Sequence, residues 1–146
     1  MDPINIAFDR ITGGFNCSQA VLSAFSQQLD LPVETALRIA APFGAGIGRM
    51  GRNCGAVSGA FMVIGLKYGH VSSGDQTSKE KAYQVARTFA ERFQAQLGSL
   101  ECRELLGYDL SKPEELQLIR EMGLFQTRCP ELVRASAEIL ADLIEP

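Results

Sequence analysis

Four cysteines, Cys17, Cys54, Cys102 and Cys129, are the residues of this chain whose side chains could carry redox or metal chemistry. A cysteine thiolate binds zinc and iron, and it also attacks disulfide bonds. Successive cysteines are 37, 48 and 27 positions apart, so the chain holds no Cys-x-x-Cys pair. The usual signatures of zinc ribbons, thioredoxin-type dithiols and covalently attached haem are therefore missing.

The composition is that of a small globular protein. The chain has 146 residues, 46% of them hydrophobic and 21% charged, which predicts one domain over residues 1–146 and excludes intrinsic disorder. A net charge of −3 without a basic block argues against a nucleic-acid partner. No stretch approaches the ~18–20 apolar residues of a membrane span, and the N-terminus lacks the layout of a secretory signal. We therefore expect a cytoplasmic protein, in which structural disulfides are disfavoured.

Helical periodicity runs through nearly the whole chain and predicts an all-α bundle of six or seven helices. We find no convincing strand pattern, internal repeat or low-complexity linker. Pro113 to Met122 adds a further short turn, and the last helix is predicted to open at Cys129-Pro130. The other predicted helices span approximately residues 3–12, 16–29, 33–41, 55–68 and 79–97, with a short one around Cys102.

Each cysteine falls at or near a predicted helix start. The cues are Asn16 before Cys17, the glycine-rich stretch before Cys54, Ser99 before Cys102 and Pro130 after Cys129. The first turn of a helix offers free N–H groups and a partial positive charge, which favour a thiolate over a thiol. Helix starts from distant parts of the chain can meet in a bundle, so wide spacing does not prevent the four sulfurs from sharing one site.

Residues 44–59 contain six glycines, so the backbone must turn tightly there or lie close to another group. Their N–H groups could approach the sulfides of a cluster, which makes Gly46, Gly48, Gly51 and Gly55 candidate cofactor-binding residues. Gly46 to Gly51 also fits Gly-x-Gly-x-x-Gly, but it follows a helix, and a dinucleotide site needs a preceding strand. Gly55 and Gly59 would let a neighbouring helix approach closely, within one subunit or between the subunits of a homodimer.

The segment Cys54-Gly55-Ala56-Val57-Ser58-Gly59, preceded by Cys17 and followed by Cys102 and Cys129, resembles a family of redox-active proteins. That family is named for its Cys…Cys-Gly-Ala-x-x-Gly…Cys…Cys pattern, and the resemblance covers nearly the whole chain. It implies a small prokaryotic protein with a redox or metal role. The family is similar in its cysteine region to the split-Soret cytochrome c, whose cysteines hold an iron–sulfur centre. This chain lacks Cys-x-x-Cys-His, so covalent haem is not implied.

Three functions remain open from the sequence. The leading hypothesis is that Cys17, Cys54, Cys102 and Cys129 converge on one site that binds an iron–sulfur cluster or another thiophilic metal such as zinc. When the site is empty, its cysteines can oxidise to disulfide. The second is a metal-free protein that exchanges thiols and disulfides with an unidentified redox partner, for which the sequence does not say which cysteines pair. The third is a scaffold or interaction protein whose cysteines only fill the core.

Overall fold

The computed structural model describes residues 2–144, which form an all-α fold, as predicted. Within this range there is no β-strand, only an isolated antiparallel bridge between Asn53 and Glu101. Short 3₁₀ turns, Gln27–Leu29 and Ala41–Phe43, follow the second and third helices. The right-handed α-helices are α1 (Pro3–Thr12), α2 (Cys17–Ser26), α3 (Val33–Ala40), α4 (Gly55–Tyr68), α5 (Gln76–Leu97), α6 (Cys102–Leu106), α7 (Pro113–Glu121) and α8 (Leu124–Leu143).

None of the helices in residues 2–144 combines the length and the apolarity that crossing a membrane requires.

Polar caps fix where the first two helices begin. The Asp2 carboxylate accepts a hydrogen bond from the Asn5 N–H at 2.9 Å, and Pro3 occupies the first turn of α1. At the start of α2, Asn16 and Gln19 form a reciprocal capping box. Because Cys17 directly follows Asn16, the capping box sets the position of its side chain.

Helix α2 lies at the centre of the fold and packs against α1, α3, α4 and α8. Its residues from Cys17 to Ser26 are all buried except Gln19. The contact with α4 is close because a Cβ atom at Gly59 would lie 2.9 Å from the carbonyl oxygen of Ser18. This close approach holds the N-terminal ends of α2 and α4, and with them Cys17 and Cys54, on the same side of the core.

Residues 45–49 form a left-handed turn, which the sequence did not predict. Their φ angles run from +55° at Ala45 to +69° at Arg49 without interruption. L-residues disfavour this conformation by about 1–2 kcal/mol each, and a β-branched residue such as Ile47 is rare in it. Gly46 has no room for a side chain, since a Cβ there would lie 2.8 Å from the Cβ of Cys102. The glycines in this stretch thus allow the close backbone approach that the sequence predicted.

The predicted start of the last helix was wrong. Helix α8 begins at Leu124, after Gly123 in the left-handed conformation, and Pro130 lies inside it. Proline is favoured in the first turn because it lacks an N–H group, but a helix interior tolerates it at the loss of one hydrogen bond. Here the stronger signal was Gly123, whose φ of +68° separates α8 from α7.

Candidate functional site

All four cysteines line a single cavity of about 470 Å³. Its wall comes from the N-terminal ends of α2, α4 and α6, from the left-handed turn and from the first half of α8. Most of the remaining lining is apolar and includes Ile11, Phe15, Leu106, Phe125 and Leu132. Among the described residues, 2–144, Arg49 is the one charged residue in this lining.

Three of the four cysteines lie at helix starts, as predicted. Cys17 and Cys102 are the first residues of α2 and α6, and Cys54 immediately precedes α4. Cys129 is the exception, because α8 already begins at Leu124. The thiol of Cys129 therefore faces the cavity from within a helix and is not stabilised by free N–H groups at a helix N-terminus.

Cys17 and Cys129 are the two cysteines whose ionisation is most closely linked. A hydrogen bond from the Cys17 thiol lowers the pKa of Cys129, and the nearby positive charge of Arg128 acts in the same direction. The same hydrogen bond, together with burial, raises the pKa of Cys17 well above its ordinary value. Cys129 is therefore the more acidic thiol of the two.

Cys54 and Cys102 favour the neutral thiol. Burial raises the pKa of Cys54 to about 12, although the backbone N–H groups of Ala56 and Val57 act in the opposite direction. The pKa of Cys102 is also raised, first by burial and then by the charges of the neighbouring cysteines and Glu101. The expectation that helix starts would favour thiolates is therefore wrong for Cys17, Cys54 and Cys102. Burial is the main cause at Cys54 and Cys102, whereas at Cys17 the hydrogen bond with Cys129 comes first and burial second.

Arg128 is held beside Cys129 by two contacts. Its Nε donates to the carbonyl oxygen of Leu105 at 3.3 Å, and its Nη1 lies 3.1 Å from the Glu131 carboxylate. The first contact links α8 to α6, and the second lies within α8, so the guanidinium is held on both sides. The sequence showed only that Arg128 precedes Cys129, and adjacency alone does not give the direction of a side chain.

The four sulfurs do not converge on one ligand position. Within residues 2–144, no three His, Cys, Asp or Glu side chains are grouped so that they could hold a metal ion. The predicted convergence must therefore be corrected: the cysteines share a cavity, but they stand along its wall. The physical reason is that they project from different helices around an open space.

The glycines predicted to bind a cofactor lie in different places. Gly55 lines the cavity, and a Cβ there would come within 3.1 Å of the Cys17 Cβ. Gly46 packs against Cys102. Like Gly48 and Gly51, it does not line the cavity. Their role in binding a cofactor stays a prediction. Arg49 also lines the cavity and was not predicted from the sequence, although its place among the glycines was a usable signal.

A family model matches the part of the chain that contains all four cysteines. The family model described as "Putative redox-active protein (C_GCAxxG_C_C)" matches residues 15–143. The motif in that description puts glycine before cysteine, whereas in this chain Gly55 follows Cys54. No curated protein and no solved structure matches the chain. Since the family model covers far more than half of the sequence, including all four cysteines, the chain belongs to the C_GCAxxG_C_C family of redox-active proteins.

Proposed function

We propose that this chain is a thiol–disulfide redox protein whose working pair is Cys17 and Cys129. Two things support the proposal: Cys17 and Cys129 line the same cavity, and a hydrogen bond from the Cys17 thiol lowers the pKa of Cys129. A disulfide-exchanging pair needs one thiolate to attack and a second thiol, within reach, to complete the reaction. Cys129 fits the first role and Cys17 the second.

The reaction follows from these two protonation states, with a disulfide R–S–S–R as the oxidant. The Cys129 thiolate attacks one substrate sulfur, so that a mixed disulfide forms and the substrate bond breaks, releasing RS⁻ with the bonding electron pair. This RS⁻ takes the proton of Cys17. The Cys17 thiolate then attacks the sulfur of Cys129, which closes a Cys17–Cys129 disulfide and releases the second RS⁻ to be protonated by water. Two electrons pass from the protein to the substrate.

The remaining cysteines have different roles in this proposal. Cys54 and Cys102 are neutral thiols, because burial raises the pKa of each, and neutral thiols are poor nucleophiles. They shape the cavity wall without taking part in the exchange. Their replacement by serine should therefore leave the first attack on a disulfide intact.

Trapping the mixed disulfide tests the proposal. We expect C17S, treated with a small disulfide such as hydroxyethyl disulfide, to accumulate one adduct on Cys129, because no second thiol is positioned to displace it. The matched control C102S should pass through the adduct and end as an intramolecular disulfide with no added mass. Intact-mass spectrometry separates the two products. An adduct on Cys54 or Cys102, or no adduct on C17S, would refute the assignment of the pair.

An iron–sulfur cluster in the same cavity is the second candidate function. The observation that favours it is that Cys54 and Cys102 line the cavity together with the proposed pair, although exchange needs only two cysteines. Cys17, Cys54, Cys102 and Cys129 would then be the ligands. A cluster, when bound, would supply one-electron transfer at its irons.

The donor set fits a cluster better than a single zinc ion. Zinc binds thiolates at about 2.3 Å, so two of its sulfur ligands lie no more than about 4.6 Å apart. No group of three or more ligating side chains in residues 2–144 meets the requirements of a metal ion. A cluster attaches its cysteines through different irons, which suits sulfurs that stand around a cavity.

Anaerobic reconstitution with iron and sulfide tests the second candidate. A bound cluster gives charge-transfer absorption at ~400 nm. Because all four cysteines would hold the cluster, C54S and C129S should lose this absorption to the same extent. In the thiol–disulfide function, C54S keeps its exchange activity and C129S loses it. The pair of variants therefore separates the two functions in one preparation.

A further inference from the structure

We infer that Arg49 makes the cavity selective for disulfides that carry an anionic group. This inference rests on the proposed thiol–disulfide function and names the class of substrate. Its first support is the set of charges around the cavity. The chain as a whole carries a net charge of −3, yet among residues 2–144 no Asp or Glu lines the cavity, and Arg49 is the one charged lining residue. Of the charged side chains in this part of the chain, a ligand that enters therefore meets the positive charge of Arg49 alone.

The Arg49 guanidinium is available to a ligand. Arg49 is exposed and takes part in none of the ion pairs found within residues 2–144. Arg128 differs in this respect, since its guanidinium is engaged by Glu131 and by the Leu105 carbonyl. An unpaired guanidinium presents a planar set of N–H donors that matches a carboxylate.

Two of the other polar lining side chains, those of Asn16 and Thr12, are already hydrogen-bonded within the protein. The Asn16 side chain caps α2 and donates to the Ala41 carbonyl oxygen at 3.0 Å, and the Thr12 hydroxyl donates to the Phe8 carbonyl oxygen at 2.9 Å. Gln126 is the lining amide that makes no side-chain hydrogen bond within residues 2–144. Polar recognition in the cavity therefore falls to Arg49, with Gln126 as a neutral second donor.

The backbone beneath Arg49 sets its position. Arg49 ends the left-handed turn with a φ of +69°, a conformation that an L-residue adopts at a cost. Such conformations cluster at binding and active sites, where the surrounding structure holds them in place. The turn is closed by the Arg52 N–H, which donates to the Gly46 carbonyl oxygen at 2.9 Å. The turn thus places Arg49 at the same cavity that Cys129 lines.

The rest of the wall defines the uncharged part of the ligand. Phe15 and Phe125 line the cavity along with several aliphatic residues. A volume of about 470 Å³ lies within the range of small-molecule sites, which are mostly apolar with a few polar groups that fix orientation. The ligand class is therefore a small disulfide with an apolar or aromatic body and a carboxylate.

Two chromogenic aromatic disulfides test this selectivity. Dithiobis(nitrobenzoate) carries carboxylates, and 4,4′-dithiodipyridine is neutral at pH 7. We expect the ratio of their rate constants with Cys129, measured by stopped flow, to fall by about tenfold in R49Q, as when a charged hydrogen bond is lost. R49K should restore much of the ratio because it keeps the charge. K67Q is the matched control: Lys67 is exposed near the far end of α4, and its loss changes the net charge equally.

The outcomes separate this inference from the proposed function. An R49Q ratio equal to that of the wild type, or an equal fall in K67Q, would overturn the role of Arg49 while leaving exchange at Cys129 in place. If C129S reacted with both probes as fast as the wild type, the proposed function itself would fail. A fall in R49Q alone, together with loss of reaction in C129S, supports both.

Discussion

Two opposing effects act on the three cysteines at helix starts, Cys17, Cys54 and Cys102: the helix N-terminus, which favours a thiolate, and burial, which favours a thiol. A helix terminus contributes about 0.3–1 kcal/mol. The rise in the pKa of Cys54 from 9.0 to about 12 corresponds to about 4 kcal/mol, at about 1.4 kcal/mol per unit. Burial therefore decides the charge of Cys54. At Cys129 the hydrogen bond from Cys17 outweighs burial, which is why the pKa of the one mid-helix cysteine is lowered.

Removing the Cys17 hydrogen bond should make Cys129 less reactive. We expect C17A to raise the pKa of Cys129 and to slow its alkylation by iodoacetamide at pH 7 severalfold, since only the thiolate reacts. C17S should remain closer to the wild type because a serine hydroxyl still donates to the sulfur. Peptide mapping identifies the alkylated residue, and the pH dependence of the rate gives the pKa. Identical rates for C17A and C17S would contradict the role of this hydrogen bond.

At the scale of the elements, the contact between α2 and α4 positions half of the cysteines. Gly59 lies at this contact, and a Cβ there would also meet the Val21 Cβ at 3.2 Å. We expect G59A to lower the free energy of unfolding by about 1–3 kcal/mol, because the helices must move apart.

Gly65 provides the matched control in the same helix. A Cβ at Gly65 meets nothing within 4 Å, so G65A should raise the free energy of unfolding by up to about 1 kcal/mol through helix propensity. Urea unfolding of both variants measures the two changes. A neutral or stabilising G59A would mean that the α2–α4 contact does not hold Cys17 and Cys54 together.

Some of the elements could be predicted from the sequence, and others could not. Caps and periodicity predicted α1 and α4 well, because Asp2, Pro3 and the apolar spacing are local signals. The start of α8 was missed because Pro130 imitates a first-turn residue. The left-handed turn was not predictable, since Ala45, Ile47 and Arg49 each disfavour it and only the surrounding fold stabilises it.

At the scale of the whole molecule, the cavity gathers residues that are far apart in the chain. All four cysteines could be identified from the sequence. That Cys17 and Cys129 form the proposed redox pair depends on how α2 and α8 pack against each other. Local patterns carry no information on such a contact, so the partner could not be predicted. The charge of Arg49 at the cavity depends on the turn in the same way.

The buried thiols also make the stability of the whole fold depend on pH. Above the ordinary thiol pKa of 9.0 the unfolded chain loses protons that folded Cys17, Cys54 and Cys102 retain. The free energy of unfolding therefore falls as pH rises, by about 1.4 kcal/mol per pH unit for each such thiol. Cys129, with its lowered pKa, acts oppositely and below pH 9, where stability rises with pH.

Replacing one buried thiol should flatten this dependence. Between pH 9 and about 12 we expect the stability of C54A to fall less steeply than that of the wild type, by about 1.4 kcal/mol per pH unit. Groups such as lysine and tyrosine titrate alike in both proteins and cancel in the difference. Urea unfolding at several pH values measures the slopes, and parallel slopes would contradict the raised pKa of Cys54.

The central claim is that Cys17 and Cys129 form the redox pair, and mapping the oxidised protein tests it most directly. Trypsin places the four cysteines on separate peptides, 11–38, 53–67, 93–103 and 129–134. After mild oxidation with a small disulfide, non-reducing mass spectrometry should find peptide 11–38 joined to peptide 129–134, with Cys54 and Cys102 still free. A disulfide that joins Cys54 or Cys102 instead, or four thiols that stay reduced, would contradict the account.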